Sequence, residues 1–270
     1  MRALVRAIGD ACLGARTGEE LADDLRGFLE RRGVAAEDVE AILESQPRLG
    51  VYRSLVRNGL SGIVLRVLPR TRGRMNVACG GRFDADFAAF VDEVGPRTHY
   101  LRDVPAELVA WAAPRWRADP GIPAYLPDLA DHELTEFAAA TAEDLSDGDA
   151  TEGARADVAL ERPLAFHPSA RLVRSAYAVH EIGDGEGKAE PARREVALFA
   201  YRDGSHAVRW LEVTPLAAAI LARLLAGEAL GAAVQAACEA HTTAPAQALE
   251  DIARLLADLG ERGALTGARR

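Results

Sequence analysis

Apolar residues recur at helical spacing through about the first 140 residues of the chain. The most apolar stretch is 51–68, and the side chains that share one face of its predicted helix are Val56, Leu60, Ile63, Val64 and Val67. Further helices are predicted over 17–29, 37–44, 83–94 and 106–116, and after the Pro-rich stretch 119–127. Together these patterns predict an N-terminal helical bundle.

After about residue 163 the apolar period becomes two, which is the period of a strand. Strands are predicted over 173–179, 196–201 and 207–213. The dipeptide Asp203-Gly204 predicts a type I′ hairpin turn between the last two strands. Thr214 followed by Pro215 is typical of a helix start. The three helices that follow are lined by 216–224, 230–241 and 249–259. The order β-β-β-α-α-α is typical of a small winged-helix-like domain.

The change of period predicts an α+β protein with two domains. We expect a helical domain over 1–142 and a winged-helix-like domain over 163–270. The segment 143–162 is acidic, rich in small residues and aperiodic, so it is predicted to be a linker.

Composition excludes several classes of protein. The chain has 270 residues, 49% of them hydrophobic and 27% charged, which is typical of a globular protein rather than a disordered or fibrous one. Its 3 cysteines are far apart, so neither a disulfide framework nor a paired-cysteine zinc site is expected. The stretch 1–15 is too charged for a signal peptide, and no window reaches the roughly 18 apolar residues of a membrane span. We expect a cytoplasmic protein with no membrane contact.

Few residues fit a catalytic or metal-binding pattern. Asp128, His132 and Glu136 lie four residues apart on a predicted helix and could share one face, as metal ligands do. A polar surface stripe, or a histidine that pairs with carboxylates, explains the same spacing. The chain contains no nucleophile elbow, no His-Glu-x-x-His motif and no Cys/His pairing that would indicate catalysis. We therefore expect no enzyme activity and no cofactor in this chain.

A run of arginines stands out in a chain whose net charge is −9. Between Ser45 and Phe83 there is no acidic residue, and the arginines in this interval and at its end are Arg48, Arg53, Arg57, Arg66, Arg70, Arg72, Arg74 and Arg82. An acidic protein partner or nucleic acid would satisfy such a patch, although the acidic sequence pI of about 5.3 disfavours a dedicated DNA binder. Structural roles explain the charges equally well, and for Arg53, near the apolar face of its helix, a structural role is favoured.

The third predicted strand suggests a different kind of binding site. In a three-stranded meander 207–213 is an edge strand, and edge strands can accept an extended peptide by β-augmentation. Alternate side chains such as Val208 and Trp210 would then select the peptide. Trp210 could instead be part of the core against Leu255 or Leu259. The residues predicted to contact a peptide are Val208, Arg209, Trp210, Leu211, Glu212, Ile252, Leu255, Leu256 and Leu259.

Three groups of residues resemble one known family. They are Tyr52-Arg53 with Val56, Asn58-Gly59-Leu60 and Leu68-Pro69; the stretch Tyr125–Ala130 with Glu133; and the C-terminal β-β-β-α-α-α region. The first two resemble motifs of a family named for a DNA-binding domain, whose members are encoded beside multinuclear non-haem iron oxidases. The third resembles the peptide-recognition domain of PqqD-type proteins.

The resemblance implies a non-catalytic partner subunit of methanobactin- or bufferin-type peptide maturation. Such a subunit would bind the leader of a ribosomally made precursor peptide and present its core, often containing cysteine, to the oxidase. The iron would be carried by the oxidase and not by this chain. The residues we expect to contact the oxidase are Arg53, Arg57, Arg70, Arg72 and Arg74. The last three are predicted to lie in an exposed loop beyond the end of the helix over 51–68.

The alternative is a DNA-binding transcriptional regulator, because winged-helix-like domains also bind DNA. A DNA-recognition helix is expected to be rich in Arg or Lys on its exposed face. The predicted helix 230–241 carries Glu239 and neither Arg nor Lys, and in 246–260 the single Arg254 stands against three acidic residues. The sequence therefore favours a peptide over nucleic acid as the ligand.

Overall fold

The structure is a computed structural model that describes residues 1–14, 17–144, 159–183 and 189–268. The described residues form two compact units, one over Met1–Ala130 and one over the described parts of 131–183 and 189–268. The first is helical and the second combines strands with helices. The predicted α+β class is confirmed.

The first unit is built from helices that bury their apolar stripes against one another. They are α1 (Arg2–Leu13), α2 (Thr17–Asp23), α3 (Leu25–Arg31), α4 (Ala36–Glu44), α5 (Gln46–Val67), α6 (Pro69–Cys79), α7 (Arg82–Glu93) and α8 (Val104–Ala118). A ninth helix, α9 (Leu126–Ala140), begins in the first unit and ends in the second. One core cluster joins Phe28 and Leu29 of α3 to Ala7 and Ala11 of α1.

A second part of this core lies where α7 and α8 meet. The rings of Phe83 and Trp116 are both buried, with their centroids 6.3 Å apart. The indole N–H of Trp116 donates a hydrogen bond to the Asp86 carboxylate at 2.8 Å, and Arg82 also binds that carboxylate. The buried indole donor is therefore satisfied, as burial requires.

Two of these helices were not predicted from the sequence. Charges interrupt the apolar pattern of α1, and yet its Ala7, Ala11 and Cys12 are buried. The segment after Pro69 was expected to be a loop because it is rich in arginine, and this expectation is wrong. Pro69 occupies the start of α6, where a missing N–H costs nothing, and Thr71, Arg74 and Met75 are buried.

Helix α5 has one buried face and one exposed face. Leu60, Val64 and Val67 are buried, whereas a Cβ added at Gly59 or Gly62 would meet no atom within 4 Å. The two glycines therefore have no packing role inside this chain.

We expect Gly59→Ala and Gly62→Ala each to raise the free energy of unfolding by about 0.5–1 kcal/mol, because alanine is the better helix former. Gly95→Ala is the contrasting variant. Gly95 has a φ of +67° and its added Cβ would lie 2.8 Å from the Leu13 carbonyl oxygen, so this change should destabilise the chain. Urea unfolding followed by circular dichroism measures all three, and a loss of stability in both helix variants would contradict the expectation.

The second unit contains the predicted run of three strands and three helices. Its elements are β1 (Leu164–Phe166), β2 (Arg171–Ser175), β3 (Val196–Arg202), β4 (Val208–Val213), α10 (Pro215–Leu225), α11 (Leu230–His241), α12 (Pro245–Glu261) and β5 (Leu265–Ala268). The order of β2 to α12 is the predicted one. Strands β1 and β5 pair in a separate two-stranded sheet that was not predicted, because strands this short carry no clear alternation. The first predicted strand is also shorter than expected, since β2 ends at Ser175.

The three-stranded sheet has the antiparallel order β2-β3-β4. Every residue of the central strand β3 is buried. On one face of the sheet Phe199 packs with Leu221 of α10 and Leu259 of α12. Thr214 caps α10 by accepting a hydrogen bond from the Ala217 N–H, as predicted.

The loop between β3 and β4 is not the predicted type I′ turn. It is longer, since the Asp203 N–H bonds to the Ala207 carbonyl at 2.9 Å and the left-handed residue is His206, with a φ of +62°. The Asp203 carboxylate accepts from the N–H groups of Ser205 and Ala207 and so replaces the tight turn.

The helices and strands leave a gap where the linker was expected. Helix α9 ends at Ala140 and β1 starts at Leu164. Most of the predicted acidic linker 143–162 lies outside the described residues, so the linker and the domain limits beside it stay predictions.

Among the described residues, no helix combines the length and the apolar character that a crossing of the lipid bilayer requires.

Candidate functional site

Strand β4 is an edge of its sheet, because β3 is its only strand neighbour among the described residues. The hydrogen bond from Asp203 N–H to Ala207 C=O fixes the alternation of the antiparallel ladder. Every second residue of β4 after Ala207, namely Arg209, Leu211 and Val213, therefore bonds to β3. It follows that Val208, Trp210 and Glu212 direct their backbone N–H and C=O groups away from β3. The edge thus offers three residues to an added strand.

An apolar groove runs beside this edge, between β4 and the helices α10 and α12. It has a volume of about 280 Å³. Its apolar lining comes from Leu211, Val213, Leu216, Ala217, Ile220, Ala248, Ile252 and Leu255. The charged residues that line it are Glu212 and Asp251. A strand added to β4 would place alternate side chains over this groove.

The groove contains some, but not all, of the residues predicted to contact a peptide. Leu211, Glu212, Ile252 and Leu255 line it, as expected for residues beside the edge. The prediction is wrong for Leu256 and Leu259, which are 2% and 0% exposed. Their side chains point into the core between α12 and its neighbours, so they are closed to a peptide.

The groove has lining residues that were not predicted to contact a peptide, among them Leu216 and Asp251. Leu216 reaches the groove from the first turn of α10, and Asp251 reaches it from α12. Asp251 directly precedes Ile252, which was predicted to contact a peptide. No pattern in the sequence places α10 against β4, so Leu216 could not be predicted.

Trp210 lies on the other face of the sheet, away from the groove. Its ring stacks on the imidazole of His132 with centroids 4.1 Å apart and planes 20° apart. Its other neighbours include the cluster of Val196 and Leu198. The interpretation of Trp210 as core against Leu255 or Leu259 is therefore wrong, and selection of a peptide by its side chain stays a prediction. Val208, two residues before it, shares its face of the strand.

His132 does not belong to a metal site among the described residues. It is 3% exposed and stacks under Trp210, whereas Glu136 of the same helix is exposed. The suspected group Asp128, His132 and Glu136 is therefore not a surface stripe, and its ligand atoms do not meet the spacing that a shared metal requires.

The described residues do contain one cluster with metal-compatible spacing, made of His180, Glu181 and Glu212. Arg194 bonds to both carboxylates, at 2.6 Å to Glu181 and, through a second nitrogen, to Glu212. The His180 Nε2 atom is 3.2 Å from Glu212. The hydrogen bond from Arg194 holds the pKa of Glu212 below its usual value. The cluster is thus a charge network, centred on the Arg194 guanidinium, at the end of the sheet.

A larger groove continues from the first at the end of β4. It has a volume of about 720 Å³ and shares Glu212, Val213 and Thr214 with the smaller groove. Arg174 of β2 and Glu195 line its far side. Together the two grooves give the edge strand apolar and charged walls over several residues.

Arg209 is exposed and does not line either groove. Its Nε atom donates to the Asp203 carboxylate at 2.6 Å, which ties β4 to the preceding loop. Hydrogen bonds from the Ser205 hydroxyl and then from Arg209 lower the pKa of Asp203 well below its usual range. The role of Arg209 is therefore to hold the start of the edge strand.

The lowered pKa of Asp203 predicts a pH-dependent contribution to stability. A carboxyl whose pKa is lower in the folded state stabilises the fold above its unfolded pKa of about 4, and this contribution is lost as the pH falls below that value. We expect the urea midpoint of the wild type to exceed that of Asp203→Asn at pH 6, and the gap to narrow steadily below pH 4. A gap that stays constant from pH 6 to pH 3 would contradict this account.

The predicted partner-binding arginines of α5 are occupied within the first unit. Arg53 donates to the Ala11 carbonyl and, at 3.0 Å, to the Thr17 hydroxyl. Arg57 forms an ion pair with Asp92. Burial, followed by the neighbouring charge of Arg57, lowers the pKa of Arg53. The structural role favoured for Arg53 is therefore confirmed.

The arginines of α6 are also not the exposed loop residues that were expected. Arg74 is 4% exposed, and Arg72 forms a two-pronged ion pair with Asp84 at 3.0 and 3.1 Å. Arg70 is half-buried and interacts with other residues of the chain. A partner surface made mainly of these side chains would need them to leave such contacts.

Comparison with known families bears on this second unit. Residues 167–260 match the family model for the HvfC C-terminal domain. This HvfC-type region begins just before β2, includes the whole three-stranded sheet and ends in α12. Both grooves beside β4 lie within it. The matched range lies in the C-terminal region of the family resemblance, whereas the motifs over 52–69 and 125–133 lie outside it. No curated protein matches the chain.

Proposed function

We propose that this chain is a non-catalytic partner subunit of a multinuclear non-haem iron oxidase. In this role it binds the leader of a ribosomally made precursor peptide and presents the peptide core to the oxidase. Iron and catalysis belong to the oxidase, and recognition of the peptide belongs to this chain. The HvfC-type region supports a role in a peptide-modification system. The link to an iron oxidase comes from the resemblance of the motifs over 52–69 and 125–133.

The observation that carries the proposal is the open edge of β4 beside an apolar groove. Three outward-facing residues of β4 offer main-chain hydrogen bonds, which any leader sequence can satisfy. The groove lined by Leu211, Ile252 and Leu255 then supplies selectivity for apolar side chains. Asp251 adds negative charge at its wall, so a leader with a basic residue beside its apolar ones fits best.

The grooves are also large enough for a peptide. The smaller one alone, at about 280 Å³, can take one or two large aliphatic side chains, and the adjoining one extends the contact beyond the end of β4. A short strand that pairs over three residues gains few hydrogen bonds, so the apolar contacts have to contribute most of the affinity.

The DNA-binding alternative has less support. Helix α11 carries neither Arg nor Lys, and α12 places Glu250 and Asp251 around Arg254, with which they form ion pairs. The phosphate backbone of DNA would meet net negative charge on these helices.

Reconstitution tests the proposed function. The purified oxidase and precursor peptide are incubated with and without this chain, and modification of the peptide is followed by mass spectrometry. We expect modification to depend on this chain and to fall when the leader is deleted from the peptide. Equal modification without this chain, or tight salt-sensitive binding of the chain to duplex DNA with no affinity for the peptide, would overturn the proposal.

A further inference from the structure

The exposed face of α5 carries large apolar side chains that the described residues of their own unit do not cover. Val51, Tyr52 and Leu55 are 58%, 61% and 60% exposed. They lie on the opposite side of the helix from the buried Leu60 and Val64, so they do not contribute to the core of the unit. Exposure of three neighbouring large apolar residues on one helix indicates a surface that is covered in an assembly.

Toward the C-terminal end of α5 the same face is shallow, because glycines leave the backbone there without side chains over it. By helical spacing, Gly59 and Gly62 follow Val51 and Leu55 on this side, and no atom lies within 4 Å of the position where their Cβ would be. Glycine weakens a helix interior, and here it gains no packing within the chain in return. A helix of another protein could approach the backbone of α5 closely at these two positions.

The charges at the two ends of this face decide between possible partners. Arg48 lies one turn before the apolar residues and Arg66 one turn after Gly62, and both are exposed. In a symmetric pair of two α5 helices, parallel or antiparallel, arginines would face arginines at both ends. This repulsion disfavours a second copy of the chain and favours a partner with carboxylates at those positions.

The geometry points to the exposed face of α5, from Val51 to Gly62, as the docking surface for an acidic-ended helix of the partner protein. The inference rests on the proposed function, because it takes that partner to be the iron oxidase. It replaces the arginines predicted from the sequence as the main contact, since Arg53, Arg57 and Arg72 are occupied inside the chain. Apolar side chains supply the buried area, and Arg48 and Arg66 fix the register.

The test measures the affinity of the full chain for the purified oxidase by isothermal titration calorimetry. We expect Leu55→Glu to weaken binding by about tenfold or more, because it places an unpaired charge in a desolvated contact. Leu160→Glu is the matched control, since Leu160 is 45% exposed and belongs to the second unit rather than to α5. The control should bind like the wild type, and circular dichroism should show both variants folded.

A second variant keeps the test independent of Leu55. Arg48→Glu combined with Arg66→Glu should also weaken binding and should remove most of its dependence on salt. Equal affinity of the wild type, Leu55→Glu and the double variant would overturn the docking surface while the proposed function stands. Absence of any binding by the wild type would overturn both. Self-association of the wild type, or binding to phosphatidylserine vesicles, that is lost in Leu55→Glu while oxidase affinity stays unchanged would also overturn it.

Discussion

Val208→Pro should lower the affinity for the leader peptide by about tenfold, because it removes an outward-facing amide donor of β4. The ladder geometry assigns this N–H to the open edge, so the hydrogen bonds between β3 and β4 lose no donor. Proline also changes the backbone angle at the start of the edge strand, which weakens the register of an added strand. Fluorescence anisotropy of a labelled leader measures the change.

Val208→Ala is the control for this substitution. It removes most of the same side chain and keeps the amide, so its affinity should stay within about twofold of the wild type. If the alanine variant loses as much affinity as the proline variant, the side chain rather than the backbone of Val208 is recognised. Strand addition at β4 would then be contradicted.

Leu259→Ala should mainly lower the stability of the chain, and Leu255→Ala should mainly lower its affinity for the leader. The two residues lie only one helical turn apart. Leu259 is fully buried in the core, so its truncation should cost about 2–5 kcal/mol of stability. Leu255 is half-buried at the groove wall, so its truncation should cost less stability and should weaken leader binding about fivefold. Amide exchange of the central strand β3 reports the stability of the second unit.

The leader affinities of the two variants are compared at a temperature where the Leu259→Ala variant is still folded. Under that condition Leu259→Ala should bind the leader with nearly the affinity of the wild type. Loss of affinity in Leu259→Ala with none in Leu255→Ala would show that the groove beside α12 is not where the peptide lies.

The sequence predicted the elements whose apolar period is long and regular. Helix α11 has the predicted limits of Leu230 and His241, and β4 starts one residue after the predicted Ala207. In both cases a single buried face dictates the pattern. The pattern fails where burial involves few residues or charged ones, as in β1, β5 and the arginine-rich α6.

The candidate site was predictable in part for the same reason. That β4 is an edge follows from the order of three hairpin-connected strands, and the structure has that order. Which face of β4 meets α12 does not follow from local sequence, because the period of two is satisfied by either face. The face occupied by Trp210 was therefore left open, and its contact with His132 joins two residues 78 positions apart in the sequence.

The ion pairs of the arginines could not be predicted from the sequence for a related reason. A run without acidic residues looks like an unpaired patch when only neighbours in sequence are considered. Asp84 and Asp92, which neutralise Arg72 and Arg57, both lie on α7. Pairing of this kind is a property of the tertiary fold and leaves no periodic signal.

Residue-resolved hydrogen exchange of β4, with and without the cognate leader peptide at saturation, tests the central claim most directly. Strand addition should slow exchange of the outward-facing amides of Val208, Trp210 and Glu212 by at least about tenfold. The amides of Arg209, Leu211 and Val213 already bond to β3 and should change much less. Unchanged exchange at Val208, Trp210 and Glu212 in the presence of bound leader would contradict the account.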